Sequence, residues 1–240
     1  MTDWQALVDA AWPPERVERA GPWTLRVAPG AGGRVNAITG PEDGDVAEAE
    51  AAARALGQSP RFAIWRDGPL DAALAARGYV TADAVWLWRA DAGALAGDPL
   101  PHATAFPHWP PLEVARDVWA EGGIGAARQA VMARAAEGRG GAAILARRDD
   151  RVAGAGFVGL SGEAAMVSAI HVLPAQRRKG AAALILRAAA AWSRDRGAAT
   201  LALVVTRGNG PANSLYASMG MERVAGYHYR IPPPEGAPQT

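Results

Sequence analysis

The chain contains no cysteine, and this absence removes several kinds of chemistry at once. Without a thiol there is no disulfide framework, no thiolate metal site and no covalent cysteine mechanism. Histidine is also scarce. His102 and His108 lie in a proline-rich stretch without the spacing of metal ligands, and we expect no metal centre.

Long apolar runs and a strong charge of one sign are also missing. No run of about eighteen apolar residues is free of charge, and residues 1–25 lack a basic-then-apolar leader. We therefore expect a cytoplasmic protein with no membrane partner. The formal net charge is +1 and the cations are scattered, which argues against a nucleic-acid partner. What remains is 240 residues, half of them apolar, enough for a large core in one or two domains.

Hydrophobic periodicity predicts two α/β halves joined by a linker at 90–111 that is rich in alanine, glycine and proline. The predicted domains are residues 1–95 and 99–232, followed by a flexible tail at 233–240. In the first half the patterns predict helices at 4–11, 46–56 and 70–77, and strands at 23–27, 34–38, 61–65 and 80–89. In the second half they predict helices at 112–121, 126–136, 181–196 and 211–219, and strands at 103–107, 142–147, 152–160, 164–172, 200–205 and 221–231.

A weak internal repeat relates residues 61–89 to residues 203–230. Each stretch reads strand, short helix, glycine, apolar residue and strand, and superposing Gly78 on Gly220 places Leu74 on Tyr216. Two explanations stay open at this stage, namely a duplicated topology and chance agreement between two ordinary α/β segments.

The most informative stretch runs from Val172 to Ala182 and reads Val-Leu-Pro-Ala-Gln-Arg-Arg-Lys-Gly-Ala-Ala. It places a glycine and three cations between an apolar strand and a helix. The first turn of a helix has unpaired amide donors, and its dipole favours an anion. Gly180 would let a ligand approach the backbone. The pattern predicts a phosphate-binding cradle, with an ordinary solvated turn as the alternative.

A second pattern lies downstream. Asn209 as a cap, Pro211 at the first helical position and Gly220 past the end predict a short helix. Tyr216 inside this helix shares a face with Ala212 and Gly220 and can point toward the carboxyl ends of the strands. The alternative is an ordinary core tyrosine whose hydroxyl finds a backbone partner.

Together these patterns resemble those of the GNAT superfamily of acyl-CoA-dependent N-acyltransferases, over about residues 99–231. The family's Arg/Gln-x-x-Gly-x-Gly/Ala motif is matched by Arg177, Gly180 and Ala182, preceded by Val172 and Pro174. Its later Asn-x-x-Ala-x-x-x-Tyr-x-x-x-Gly-Phe motif is matched by Asn209, Ala212, Tyr216 and Gly220, with Met221 in place of the aromatic residue. The first half resembles a degenerate copy of this pattern. Its residues 39–45 are acidic where the second half is basic.

This resemblance implies an α/β fold of the α+β mixed-sheet kind. A GNAT-type central mixed β-sheet with a splayed strand pair would be flanked by helices and preceded by a smaller α/β domain, duplicated in topology if the repeat is real. It also implies that acetyl-CoA binds with its pantetheine arm between strands 164–172 and 200–205. The implied cofactor-binding residues are Ile170, His171, Val172, Arg177, Arg178, Lys179, Gly180, Ala181, Ala182, Asn209 and Tyr216.

The chemistry sets further requirements. When a neutral amine attacks a thioester, the oxyanion needs donors, the leaving thiolate benefits from a proton, and the amine's proton needs a base. The resemblance implies that Tyr216 is the general acid beside the sulfur. Many relatives place a glutamate on the strand before the cradle, where this sequence has none. Glu163, His171 and His228 are therefore the candidate bases.

The favoured function is an N-acyltransferase, specifically an acetyltransferase, in which a primary amine attacks directly in a ternary complex. The acceptor would be a small molecule, a peptide or a protein, and its pocket would form from residues 112–136. The protein would be a monomer or a homodimer. A non-catalytic acyl-CoA sensor or regulatory module is the alternative. A nucleotide phosphate loop is disfavoured, because the Gly-x-x-x-x-Gly-Lys-Ser/Thr pattern is missing.

Overall fold

The computed structural model describes residues 3–233 and has eight α-helices and eleven β-strands over that range. The α-helices are α1 (Trp4–Ala11), α2 (Val46–Ala55), α3 (Pro69–Ala76), α4 (Ala92–Ala96), α5 (Glu113–Glu121), α6 (Ala126–Arg139), α7 (Ala181–Arg194) and α8 (Gly210–Ser218). The strands are β1 (Arg16–Ala20), β2 (Trp23–Val27), β3 (Ile38–Thr39), β4 (Phe62–Ile64), β5 (Val80–Asp91), β6 (Ala105–His108), β7 (Gly141–Arg148), β8 (Arg151–Ser161), β9 (Ala164–Val172), β10 (Thr200–Thr206) and β11 (Glu222–Ile231). Of the predicted tail at 233–240, residues 234–240 lie outside the described range.

Two compact units divide the chain, and each is built from two separate segments. The larger unit comprises residues 3–13 and 87–225, and the smaller unit comprises residues 14–86 and 226–233. This division differs from the predicted domains 1–95 and 99–232. The physical reason is that α1 packs against β8 and β9, whereas the last part of β11 pairs with β4.

The larger unit contains a mixed sheet with the strand order β5-β10-β9-β8-β7-β6. Strands β6 to β9 pair antiparallel, whereas β9 and β10 pair parallel. A parallel pair needs a long crossover, and α7 supplies it. Helix α7 packs on the sheet through Ile185, Leu186 and Ala189, none of which is exposed. The start of α7 consequently follows the carboxyl end of β9, where ligands bind in open α/β sheets.

In the smaller unit, the strands are ordered β1-β2-β3-β4-β11. Strands β3 and β4 pair parallel, with α2 as their crossover, while the other pairs are antiparallel. The rings of Trp23 and Tyr79 both pack edge to face against Phe62, with centroid distances of 5.7 and 5.6 Å. These aromatic rings, together with Leu25, Ile38 and Leu74, form a closed core.

The predicted internal repeat is visible as two matching structural motifs. The series β4-α3-β5 and β10-α8-β11 both end their helix with a glycine at positive φ, Gly78 at +84° and Gly220 at +76°. In both, the amide of the residue after the glycine donates a hydrogen bond to a carbonyl of the last helical turn. Tyr79 donates to Leu74 at 3.0 Å, and Met221 donates to Tyr216 at 3.1 Å. The topology is thus duplicated, and the chance explanation falls away.

The strand predicted at residues 34–38 is wrong. Residues 34–36 form a single 3₁₀ turn, and β3 begins only at Ile38. The cause is the Asn36 side chain, whose amide donates to the carbonyls of Ala28 and Gly32, both at 2.8 Å, while its Oδ1 accepts from the Ala28 amide. Such local bonding by asparagine competes with a strand ladder.

Two elements were missed by sequence analysis. Strand β1 pairs with β2 across the turn Gly21-Pro22. The sequence did carry a signal for this hairpin, because a two-residue turn separates two short runs of alternating apolar and polar residues. Helix α4 lies within the predicted linker. It begins at the capping residue Asp91, which accepts from the Ala94 amide at 2.7 Å. The Arg187 guanidinium of α7 bonds the Ala96 carbonyl and holds the helix end.

A charged network in the smaller unit joins α3 to β11. The Asp71 carboxylate accepts two hydrogen bonds from Arg230, at 2.7 and 3.0 Å, and its Oδ1 lies 2.9 Å from Nε2 of His228. The hydrogen bonds from Arg230 are the main cause that lowers the pKa of Asp71. All three side chains are largely buried.

Replacing Asp71 by asparagine is expected to lower the free energy of unfolding by about 2–3 kcal/mol, because a buried guanidinium loses its charged partner. A carboxylate with a lowered pKa stabilises the fold above its unfolded value, about 3.9, and that contribution is lost as pH falls through the folded value. The difference in the free energy of unfolding between the wild type and Asp71→Asn should therefore hold at neutral pH and shrink below about pH 4. Chemical denaturation across pH measures it, with exposed Asp43→Asn as the control. An equal effect from both variants would contradict the network's role.

Candidate active site

Strands β9 and β10 pair along their first halves and then diverge. Their parallel ladder covers residues 164–167 opposite residues 200–203, although β9 continues to Val172 and β10 to Thr206. Beyond the ladder, main-chain groups of β9 that point toward β10 are available to a ligand, since backbone donors and acceptors require partners. This is the splayed strand pair that the sequence analysis predicted.

A β-bulge interrupts β9 just beyond the point where the ladder with β10 ends. Between two paired positions, β8 has one residue, Gly156, while β9 has two, Ala169 and Ile170. Ala169 has a φ of +54°, a conformation that residues with a side chain rarely adopt. A bulge increases the local twist and re-aims the side chains that follow it. The end of β9 is thereby turned relative to its first half.

The loop after β9 contains the stretch for which the sequence predicts a phosphate-binding cradle. A 3₁₀ turn at Pro174–Gln176 leads to Gly180, which has a φ of +83° and directly precedes α7. No side chain caps the first turn of α7, and a Cβ built at Gly180 would meet no atom within 4 Å. Open space therefore lies beside Gly180, at the start of a helix whose first-turn amides have no partner within the helix. Such a helix terminus attracts an anion.

The three cations of the cradle have different surroundings. Arg177 turns back, and its Nε donates to the carbonyl of Val172 at 3.2 Å. This bond fixes the end of β9 relative to the loop. Arg178 and Lys179 are exposed, and Arg178 has a φ of +63°. These two side chains are the ones free to follow a ligand's phosphates.

Tyr216 lies on α8 and is buried, with 7% of its surface exposed. Its ring packs edge to face against Trp88 at a centroid distance of 6.1 Å. The hydroxyl makes no hydrogen bond within the part of the chain that the structure describes. Burial raises the pKa of Tyr216 to about 12, so that the hydroxyl keeps its proton at neutral pH.

Asn213, which the sequence analysis missed, organises the turn before Tyr216. Its amide nitrogen donates to the carbonyls of Thr206 and Asn209, and its Oδ1 accepts from the indole of Trp88 at 3.0 Å. Asn209 is the N-cap of α8, and its side-chain oxygen accepts a hydrogen bond from the Ala212 amide. The sequence carried one signal for Asn213, its position one helical turn after a capping asparagine.

The three candidate bases lie in three different settings. Glu163 is exposed in the turn before β9, at the opposite end of that strand from Val172. A nine-residue strand spans about 30 Å, so the structure does not bring Glu163 to the cradle. His228 belongs to the smaller unit and is bonded to Asp71. His171 follows the bulge beside Val172, in the larger unit.

The His171 ring packs against the end of α5. A Cβ built at Gly122 would lie 2.5 Å from both Cγ and Nδ1 of His171. Its Nε2 is buried and has no hydrogen-bond partner within residues 3–233. A buried polar atom of this kind normally has a partner, which makes it a candidate to meet a ligand or a water molecule.

Comparison with known proteins agrees with this geometry. Residues 104–221 match the acetyltransferase (GNAT) family. These residues form a GNAT-family domain. No curated protein sequence matches the chain.

Solved structures show the same GNAT fold along nearly the whole chain. A GCN5-related N-acetyltransferase from Kribbella flavida is 18% identical, with 92% of this chain and 90% of that chain covered and a TM-score of 0.67. A GNAT-family protein from Novosphingobium aromaticivorans is 17% identical, with 94% and 95% covered and a TM-score of 0.59. A tandem GNAT protein from the clavulanic acid biosynthesis pathway is 19% identical, with 81% and 70% covered and a TM-score of 0.58. The last resemblance matches the duplicated topology.

The smaller unit carries the GNAT topology with an altered cradle. The loop after β3 is packed on its own core, because a Cβ at Gly40 or Gly44 would lie within 2.5 Å of the Trp23 ring. The Glu42 carboxylate accepts from the Leu70 amide at 3.3 Å, at the start of α3. The smaller unit thus has an acidic loop packed against the Trp23 ring, at the position where the larger unit has the basic loop before α7.

Between residues 3 and 233, no group of three or more His, Asp and Glu side chains is placed to hold a metal ion. None of the helices in that range has the length and apolar character needed to cross a bilayer.

Proposed function

We propose that the larger unit is an acyl-CoA-dependent N-acyltransferase, an acetyltransferase, that acts on a primary amine in a ternary complex. The observation that carries this proposal is the combination of three features in one unit. Strands β9 and β10 diverge, an open helix terminus at Gly180 follows β9, and the Tyr216 hydroxyl makes no hydrogen bond to any of residues 3–233. The family membership of residues 104–221 supports the same class of reaction.

The residues present fit the parts of an acyl-CoA. The amides of Ala181 and Ala182, with Arg178 and Lys179, would hold the diphosphate at the terminus of α7. Main-chain groups of residues 170–172 that face the gap would bond the two amides of the pantetheine arm. When bound, this group supplies the acyl thioester and a thiolate leaving group.

Tyr216 suits the role of general acid. Its hydroxyl is protonated at neutral pH, as in any tyrosine, and in the proposed complex it would give that proton to the thiolate as the carbon–sulfur bond breaks. Polarisation of the thioester carbonyl would fall to a main-chain amide near Val172, because a backbone donor needs no charged residue.

For the base, we choose His171 among the three candidates. It lies next to the main-chain groups proposed to hold the acyl donor, and its Nε2 is buried without a partner in the described chain. Nε2 would take the amine's proton directly or through one water molecule, leaving the nitrogen lone pair free to attack. Glu163 is separated from that position by the length of β9, and Nε2 of His228 is already engaged by the Asp71 carboxylate at 2.9 Å.

Binding and turnover test the proposal separately. Calorimetry with acetyl-CoA and with CoA is expected to give dissociation constants in the micromolar to submillimolar range. A CoA-release assay would then screen four kinds of amine, namely a polyamine, an amino sugar, a peptide with a free α-amine and a peptide with an internal lysine. Release that requires one kind of amine would support the enzyme and identify the acceptor class. The absence of any binding at millimolar acetyl-CoA would refute the proposal.

The alternative is a non-catalytic acyl-CoA sensor, and one observation favours it. Strands β9 and β10 carry no carboxylate, so the base rests on a histidine. Acetyl-CoA binding without release on any of the four amines would support the sensor over the enzyme.

Replacing His171 by glutamine is expected to lower kcat by about 10²-fold, because the amide keeps hydrogen-bonding ability but cannot accept the amine's proton as a base. Acetyl-CoA affinity should change little. His108→Gln is a matched control, since His108 is also half-buried in the larger unit with an unpartnered Nε2. Steady-state kinetics on both variants decide the question. A kcat that is unchanged in His171→Gln would remove His171 as the base.

A further inference from the structure

We propose that Trp119 is a positioning residue that holds the bulge in β9, and so decides which main-chain groups of residues 170–172 face the acyl donor. This inference rests on the proposed function. Trp119 lies on α5 and is fully buried. Its indole Nε1 donates to the carbonyl of Ala169, the bulge residue at positive φ, at 3.0 Å.

The bulge is not the conformation that β9 would adopt by default. An alanine at positive φ crowds its own Cβ against the following carbonyl. A bulge also disrupts the strand ladder and leaves main-chain groups without their usual partners. The indole supplies a donor from outside the sheet to the Ala169 carbonyl. The hydrogen bond therefore favours the bulged strand over a regular one.

The bulge determines the orientation of everything that follows it. Successive main-chain amides of a strand point to opposite neighbours, and side chains alternate between the two faces. If β9 lost its extra residue, residues 170–172 would shift by one position against β8. Amides that face the gap toward β10 would then face β8, and His171 would leave its place against Gly122.

A second contact from α5 fixes the other side of the bulge. Gly122 directly follows this helix and lies so close to the His171 ring that no Cβ would fit. Trp119 and Gly122 therefore hold residues 169 and 171 from the same helix. We call this pair of contacts the α5 clamp.

The tests use Trp119→Phe, which keeps an aromatic ring and removes the N–H donor. In the ligand-free protein, amide hydrogen exchange at residues 168–172 is expected to speed up more than tenfold relative to β7. The kcat/KM for acetyl-CoA is expected to fall about tenfold, the size of one lost hydrogen bond. Trp192→Phe is the matched control, a buried tryptophan of the same unit on α7.

A second variant separates positioning from general stability. Ala169→Gly in the Trp119→Phe background removes the penalty of positive φ, since glycine adopts this conformation freely. It should restore kcat/KM by about threefold, while the melting temperature stays at or below that of the single variant. Ala169→Gly alone is expected to keep kcat/KM within about twofold of the wild type.

Several outcomes would overturn the inference. Unchanged exchange at residues 168–172 in Trp119→Phe would show that the clamp does not hold the bulge. Faster exchange with an unchanged kcat/KM would remove the positioning role, as would a loss of activity that Ala169→Gly fails to restore. If the wild type binds no acetyl-CoA, the proposed function fails and the role in catalysis fails with it. The exchange measurement then still decides whether the clamp exists.

Discussion

Replacing Tyr216 by phenylalanine is expected to lower kcat for acyl transfer by about 10²- to 10³-fold, with the dissociation constant of acetyl-CoA changed by less than about threefold. The hydroxyl makes no hydrogen bond within the described chain, so its removal leaves no protein group unpaired. The ring remains packed on Trp88 at 6.1 Å. The loss should therefore fall on the protonation of the leaving thiolate and spare the binding of the donor.

The pH dependence gives an independent check. Burial raises the pKa of Tyr216 to about 12, so the hydroxyl stays protonated across the range in which the rate is measured. Deprotonation of Tyr216 should not limit the wild-type rate below about pH 10.

The control is Tyr79→Phe in the smaller unit. Tyr79 donates to Glu50 at 3.0 Å, and loss of that bond should cost about 1 kcal/mol of stability and leave kcat unchanged. A Tyr216→Phe enzyme with a wild-type kcat would show that another group, or the solvent, protonates the thiolate.

The second large effect is expected from Gly180→Asp, which should weaken acetyl-CoA binding at least about 100-fold. Two causes act together. A residue with a Cβ is disfavoured at a φ of +83°, and the new carboxylate would lie in the open space where the diphosphate is proposed to bind. Since a Cβ at Gly180 meets no atom within 4 Å, the side chain causes no clash, and the cost to stability is that of the backbone conformation alone.

Gly162→Asp is a closely matched control. Gly162 lies in the turn between β8 and β9, has a φ of +58°, and also has open space around a built Cβ. Both variants carry similar backbone strain and the same added charge, but Gly162 is at the opposite end of β9 from the cradle. Calorimetry should show near wild-type affinity for Gly162→Asp. Equal weakening in both variants would contradict the cradle.

Much of this fold could be predicted because it depends on local chemistry. Strands β2 and β9 were predicted with their observed limits, since their apolar residues are bounded by glycine and proline. The end of α8 followed from Gly220, and the two motifs around Gly180 and Tyr216 identified the family. Each of these signals lies within a dozen residues along the chain.

The remaining features depend on contacts between distant segments. The carbonyl of the bulge residue Ala169 accepts a hydrogen bond from Trp119, which lies fifty positions earlier, and no periodic pattern shows such a bond. Likewise Arg187 holds the end of α4 across ninety-one positions, within what reads as a linker.

Because α1 belongs to one compact unit and the last part of β11 to the other, the two genetic halves are not separable modules. A fragment cut near Pro99 would lose the helix whose Ala11 carbonyl contacts Gly159 and whose Trp12 ring packs on Phe157. It would also leave Tyr227 and Tyr229 on a strand end without β4. A truncated protein that keeps either core intact must therefore join residues 3–13 to residues 87–225, or residues 14–86 to residues 226–233.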